Sequence, residues 1–137
     1  YNCVHTRFTS LLGDFKDTTT TVLDKDSING LLQRIKNEVE QIKAASKIPL
    51  YIMSDSLLFL DYILSHIDIN TIEGQPVHMD DFNKGKNIKA QEKTLIDFFV
   101  LSASDTIYFI RIGEMYNSNF SRYASFVGNC NFELVNQ

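Results

Sequence analysis

Leu50-Tyr51-Ile52-Met53-Ser54-Asp55-Ser56 is the stretch whose reading decides the fold. Four consecutive apolar residues suit a strand buried on both faces, and Pro49 in front of them keeps the preceding segment from continuing as helix. Ser54-Asp55-Ser56 then ends the strand and offers capping side chains to a helix running from Leu57 to about His66. A strand that passes through a capping turn straight into a helix is the opening of a β-α-β unit.

The same alternation extends in both directions. Upstream, Ile28, Leu31, Leu32, Ile35, Val39 and Ile42 recur at three- and four-residue steps, which predicts a long helix with one apolar stripe. Asp26 or Ser27 is placed to cap it, and Lys36, Glu38, Glu40 and Lys43 fill its wet face. Before it lie a polar loop, Arg7 to Asp24, and a short β-type run, Tyr1 to Thr6. Downstream, Gln75 to Met79 reads as a third strand and Asp80 to Asn87 as a loop. A helix follows from Ile88 to Ala103, its apolar residues including Ile88, Leu95, Ile96, Phe99 and Val100. Thr106 to Ile110 reads as a fourth strand, and about Asn119 to Val127 as a last helix. Phe132 to Val135 reads as a further strand in the tail. Strands alternating with helices imply right-handed crossovers and an α/β fold with a mostly parallel sheet, half of a doubly wound architecture.

The 137 residues fit one domain, 1–137, with one core, and 44% hydrophobic against 22% charged residues is ordinary globular usage. The net charge of −4 carries no block of like charges and gives no footprint for nucleic acid, so no nucleic-acid partner is expected. An anion bound here has to be held by a few aimed donors. No apolar run approaches the roughly 20 residues that span a bilayer, so no membrane contact by this segment is expected. Tyr1-Asn2-Cys3-Val4-His5 reads as the inside of a strand with no initiator Met, which implies a fragment or a processed product. Cys3 and Cys130 match no metal spacing and are expected as two free, partly buried thiols.

Ligands of an open parallel sheet bind beyond the carboxyl ends of its strands. The polar residues there are His5, Thr6 and Arg7; Ser54, Asp55 and Ser56; His78, Asp80 and Asp81; and Ser118, Asn119 and Ser121. Arg7 keeps its charge at any working pH, and its planar fork suits a phosphate; the plain alternative is a surface arginine paired with Asp14 or Asp17. Ser118-Asn119-Phe120-Ser121 opens a helix whose free N–H groups suit an anion, a role compatible with ordinary capping by Ser118. Ser54-Asp55-Ser56 reads first as a helix cap. His5 and His78 are each structural or general bases. Asp97, inside Leu95-Ile96-Asp97-Phe98-Phe99, needs a partner, either a loop or a ligand base. Asn119-Phe120-Ser121 is also a glycosylation sequon, but its place at this rim argues against a glycan. GxGxxG, GxxxxGK[ST] and GxSxG motifs are absent. Asp24-Lys25-Asp26 has DxD spacing but sits where a helix begins, so no metal site and no cofactor are expected.

Three segments together resemble the fucosyltransferase-like superfamily of two-domain (GT-B) glycosyltransferases, which includes α1,6-fucosyltransferases and protein O-fucosyltransferases. Val4-His5-Thr6-Arg7 resembles its strand ending in H-x-R. Leu50 to Ser56 resembles its strand ending in a T/S-D turn. The third segment runs from Thr94-Leu95-Ile96-Asp97-Phe98-Phe99-Val100-Leu101-Ser102 through Asp105-Thr106-Ile107-Tyr108. It ends in Ser118-Asn119-Phe120-Ser121-Arg122-Tyr123-Ala124, resembling the pattern D-x-x-x-L-S-x-A/S-D, strand, S-x-F-S-x-x-A. Order and spacing agree over nearly the whole chain. The resemblance implies the Rossmann-like donor half of a GT-B fold that binds a GDP-sugar, GDP-fucose above all. It implies Arg7 as the catalytic grip on the β-phosphate, and His5 and Asp97 near the guanine. Ser118 with the Asn119 backbone would hold phosphate, with Ser121 and Asp55 in the substrate site. A glycan or protein acceptor would be bound by another domain. The chain departs from the family where Phe8, Thr9 and Ser10 follow Arg7 in place of a further basic residue and a nearby Asp. A noncatalytic binding or interaction module on the same fold is the alternative.

Overall fold

The elements of the computed structural model follow one another as β1 (Asn2–Thr6), α1 (Lys25–Ala45), β2 (Leu50–Ser54), α2 (Leu57–His66), β3 (Asn70–Thr71), α3 (Ile88–Ser102), β4 (Thr106–Arg111), α4 (Phe120–Gly128) and β5 (Asn131–Asn136). The structure describes residues 1–14, 21–74, 76–77 and 88–137, with 88–90 described by backbone alone. All strand pairs are parallel, in the order β3-β2-β1-β4-β5. The fold is therefore α/β and Rossmann-like, a parallel sheet flanked, among the described residues, by four helices. The chain winds outward from β1 to β3, returns through α3 to the other side of β1, and winds outward again to β5.

Hydrophobic patterning explains one layer well. Leu31, Leu32, Ile35 and Val39 of α1 are buried, and Ile28 and Ile42 flank them. They pack with Phe59 and Ile63 of α2 against Val4, Ile52 and Ile110 of the sheet. The α1 cap is Asp24, earlier than the expected Asp26 or Ser27. Ser27 acts as a donor: its N–H and its hydroxyl both reach the Asp24 carboxylate, each at 2.9 Å. Ser56 caps α2 by accepting from the Phe59 N–H at 3.0 Å. Its hydroxyl donates in turn to Asp14 (2.8 Å), which also accepts from the Leu58 N–H (2.8 Å).

The third strand lies before the place that patterning predicts. Pro76 and Val77 are not in a strand, and residues 75, 78 and 79 lie outside the described residues. The strand beside β2 is β3, which pairs Asn70 with Tyr51 and Thr71 with Ile52. Asn70 Nδ2 and Thr71 Oγ1 donate to the Leu50 and Ile52 carbonyls at 3.2 and 2.8 Å. Two polar residues that use their own side chains to hold the neighbouring backbone leave no hydrophobic signature. The tail strand is present as β5, in register with β4 from Thr106↔Asn131 to Arg111↔Asn136.

The second layer, α3 and α4, covers a smaller cluster of Cys3, Met53, Leu101, Ile107 and Ala124. Its helix α3 is turned against its own apolar pattern. Lys93, Thr94 and Asp97 are buried, while Leu95, Ile96 and Phe99 are 45%, 47% and 60% exposed. Both cysteines are free thiols, and burial pushes Cys3 up to about 12. Among the described residues, no helix is long and apolar enough to cross a membrane.

Gly128 sets how closely α4 approaches α3, because a Cβ there would lie 1.6 Å from the Ser102 carbonyl oxygen. Gly128→Ala should therefore cost about 1–3 kcal/mol in urea unfolding. Gly30, inside α1 with nothing within 4 Å of an added Cβ, supplies the contrast. Gly30→Ala should gain about 0.5–1 kcal/mol in the same assay, from helix propensity alone.

Candidate functional site

β1 and β4 are neighbours whose following connections run to opposite faces of the sheet, which opens a crevice at their carboxyl ends. A cleft of about 330 Å³ occupies that place. β1 contributes His5 and Arg7, and the end of β2 contributes Met53, Ser54 and Asp55. Thr94 and Asp97 come from α3, Tyr116 to Phe120 from the approach to α4, and Pro76 with Val77 closes the side. Of the residues expected at the rim, His5, Arg7, Ser54, Asp55, Ser118 and Asn119 line one space, and Asp97 of α3 joins them, whereas Thr6 and Ser56 do not line it. Ser121 does not line it. It is fully buried in the first turn of α4, and its hydroxyl has no hydrogen-bond partner among the described residues. His78, Asp80 and Asp81 lie outside the described residues.

Asp55 is more than a helix cap. Its carboxylate accepts from the Phe8 N–H at 2.8 Å and the Thr9 N–H at 2.7 Å, and pairs with Arg7 Nε at 3.3 Å. Burial pushes its carboxyl up, and Arg7 and the two amides pull it back down. Three converging donors are what a carboxylate, not a carboxylic acid, can satisfy. Thr9 takes a left-handed backbone, φ 55°, uncommon for a β-branched residue. The turn after β1 is thereby tied to the end of β2. Arg7 is not the surface partner of Asp14, whose carboxylate serves α2; Asp17 lies outside the described residues.

His5 is buried, with Phe109 and Phe120 ring centroids 5.4 and 5.8 Å away. Burial, helped by the Arg7 charge, pushes its pKa down to about 3. It is neutral near pH 7, which unfits it for carrying a proton there and leaves it a neutral hydrogen-bonding group. Its Nδ1 has no partner among the described residues. Asp97 receives a bond from Lys93, one helical turn earlier, and both are buried. The Thr94 hydroxyl bonds both the N–H and the carbonyl of Val77, at 3.1 and 3.0 Å, and so fastens the cleft's side to α3.

At the start of α4, Ser118 lies one residue before the cap instead of at it; its Oγ accepts from the Phe120 N–H at 3.2 Å, a local turn bond that still occupies a helix-start donor. Asn119 stands at the cap position and makes no side-chain cap bond. Thr94, Val77, Lys93 and Tyr116 escaped the sequence reading. Only the Lys93/Asp97 pair left a signal there, its i,i+4 spacing. Among the described residues the charges nearest the cleft are matched, Arg7 with Asp55 and Lys93 with Asp97. Among the described residues no three His, Cys, Asp or Glu side chains gather as metal ligands. No protein-family model, curated protein or solved structure significantly matches the chain.

The histidine has a pH consequence. With a folded pKa of about 3 against an ordinary 6.5, unfolding takes up a proton as the pH falls below 6.5. The stability that neutral His5 contributes is complete above pH 6.5 and is lost as pH falls toward 3, about 5 kcal/mol at most. Asp55 and Asp97, whose carboxyls are pushed up, act with the opposite sign, their contribution falling as pH rises. His5→Gln isolates the histidine share. Its urea-unfolding free energy should fall clearly less than the wild type's between pH 7 and pH 4.

Proposed function

We propose that the chain is the donor-binding domain of a metal-independent, inverting glycosyltransferase of the fucosyltransferase-like kind, using GDP-fucose. The observation that carries this reading is the meeting of Arg7 and the Ser118–Asn119 start of α4 in one cleft at the sheet's switch point. A guanidinium and a helix start can stabilise the charge that gathers on a departing diphosphate without a metal ion. In the step itself the sugar–phosphate C–O bond breaks and its electron pair leaves with the diphosphate. An acceptor hydroxyl oxygen forms the new bond from the opposite face of the sugar, and its proton is released to water. Arg7 would grip the β-phosphate, oriented by Asp55, and Ser118 with the Asn119 backbone would take phosphate oxygens. Neutral His5 and the carboxylate of Asp97 would stand toward the guanine. A glycan or protein acceptor would be held by a further domain.

The Arg7–Asp55 pair, at 3.3 Å and largely buried, favours a second reading, because it reduces the charge that Arg7 can offer a diphosphate. On that reading the domain is a noncatalytic binding or interaction module on the same scaffold.

Nucleotide-dependent melting separates the two. GDP should stabilise the domain more than UDP or ADP, by about 2.7 kcal/mol at a concentration 100 times Kd. Arg7→Lys keeps the charge opposite Asp55 but loses the planar fork, and should weaken GDP about tenfold or more by calorimetry. A folded domain that no nucleoside diphosphate stabilises would overturn the donor-binding reading and leave the module.

A further inference from the structure

α3 is built inside out for a helix that only has to pack. Its cleft-facing turn buries Lys93, Thr94 and Asp97, while Leu95, Ile96 and Phe99 face outward. Stability alone favours the reverse, because a buried lysine is costly unless paired and an apolar residue would pack in its place. Lys93 is paired: its ammonium donates to Asp97 Oδ1. Its stem is also confined. A Cβ on Gly74 would meet Lys93 Cγ and Cδ at 3.3 Å, and Gly74 has φ +105°, a backbone that side-chain-bearing residues rarely adopt. A few residues on, Val77 is fastened to Thr94. Gly74, Lys93 and Asp97 thus form a chain of contacts that ends at the cleft wall, where Asp97 is a lining residue and Lys93 is not.

We propose that Lys93, confined beneath Gly74, is a positioning residue that holds the Asp97 carboxylate ionised and aimed into the cleft as the acceptor for a nucleobase edge. The inference rests on the nucleotide reading above and extends it to what selects the base. An ionised carboxylate only accepts, and it takes two side-by-side N–H donors best. With Lys93 on Oδ1, the remaining acceptor capacity of Asp97 matches an edge offering a ring N–H beside an exocyclic amine. Burial pushes the Asp97 carboxyl up, and Lys93 is the group that pulls it down. Among the described residues the other ionisable groups around it are few. On β1 there are neutral His5 and the Cys3 thiol, pushed up to about 12. Arg7 and Asp55 form their own pair at the ends of β1 and β2. On α3 itself Glu92 is exposed; on α4 Arg122 is also exposed, over the Phe132 ring on β5; Glu73, beside Gly74, is exposed too. None of these replaces Lys93.

The experiment compares GDP with inosine diphosphate, which lacks the exocyclic amine, by calorimetry across pH 6 to 8. The wild type should prefer GDP by about tenfold or more, with little change over this range. Lys93→Met should cut that preference to about threefold or less, and its GDP affinity should weaken as pH falls from 8 to 6 while Asp97 takes up a proton. Gly74→Ala, which leaves the pair's chemistry intact but crowds the lysine stem, should reduce the preference in the same direction. It also keeps the test open if Lys93→Met does not fold. In wild type and Lys93→Met without nucleotide, the Asp97 carboxyl carbon followed by NMR should titrate at higher pH in the variant. A folded Lys93→Met protein with the wild-type preference and a flat pH profile overturns the inference and leaves the donor-binding reading standing. So does a folded Gly74→Ala protein with unchanged preference, where Lys93→Met is lost. A wild type that binds neither nucleotide overturns both.

Discussion

The Asp55 carboxylate is the tie on which the cleft depends. It is the first residue past β2, yet its acceptors serve the residues past β1: the Phe8 and Thr9 amides and the Arg7 guanidinium. Parallel strands fix their neighbours' register along the ladder but leave the loops beyond their carboxyl ends without hydrogen bonds of their own. Here one side chain, 1% exposed, supplies them. Removing it would leave the two inward-facing amides of Phe8 and Thr9 without their acceptor and take the buried carboxylate from beside Arg7, a loss of about 1–3 kcal/mol or more. The left-handed backbone of Thr9 is affordable because the bond to Asp55 holds it. Arg7 thus stands in the cleft on a support made elsewhere, which is what a precisely placed binding group requires.

The same division of labour appears on α3. One layer of the molecule, α1 and α2 against the sheet, holds most of the buried apolar residues. The other has a smaller cluster and gives its inward turn to Lys93, Thr94 and Asp97. A fold with one well-packed layer can tolerate a second layer whose helix faces polar groups inward. The rigid contact of Gly128 with the Ser102 backbone keeps α4 in place beside it. The larger apolar cluster and the inward-facing polar turn of α3 therefore lie on opposite faces of one sheet.

That division also decides how much could be read from the residues alone. The β2 segment and the stripe of α1 are periodic apolar patterns packed in the well-filled layer, and both were legible. The rim followed from topology, since residues just past parallel strands share one edge, and six of the expected side chains line one cleft. What was hidden had no apolar signature. β3 is two polar residues held by their own side chains. The α1 cap moved to Asp24 because Ser27 donates where it was expected to accept. Asp55 resembles any capping residue until its partners, 46 and 47 positions away, are known. The orientation of α3 was illegible because Leu95, Ile96 and Phe99 are the residues an amphipathic reading turns inward.

The pairing of the cleft's charges bears on what it can hold. Among the described residues, Arg7 with Asp55 and Lys93 with Asp97 form matched pairs and not a basic patch that would gather anions from solution, in keeping with a chain of charge −4. An anion held here owes its affinity to donors already aimed before it arrives, and such groups need little reorganisation when charge develops beside them. A matched arrangement also restricts entry. A free phosphate meets an arginine whose charge is partly answered, whereas a ligand that also satisfies the Asp97 wall and the Nδ1 of His5, which has no partner among the described residues, meets complementary groups along its length. Charge pairing that weakens any single contact thereby favours the ligand that makes all of them.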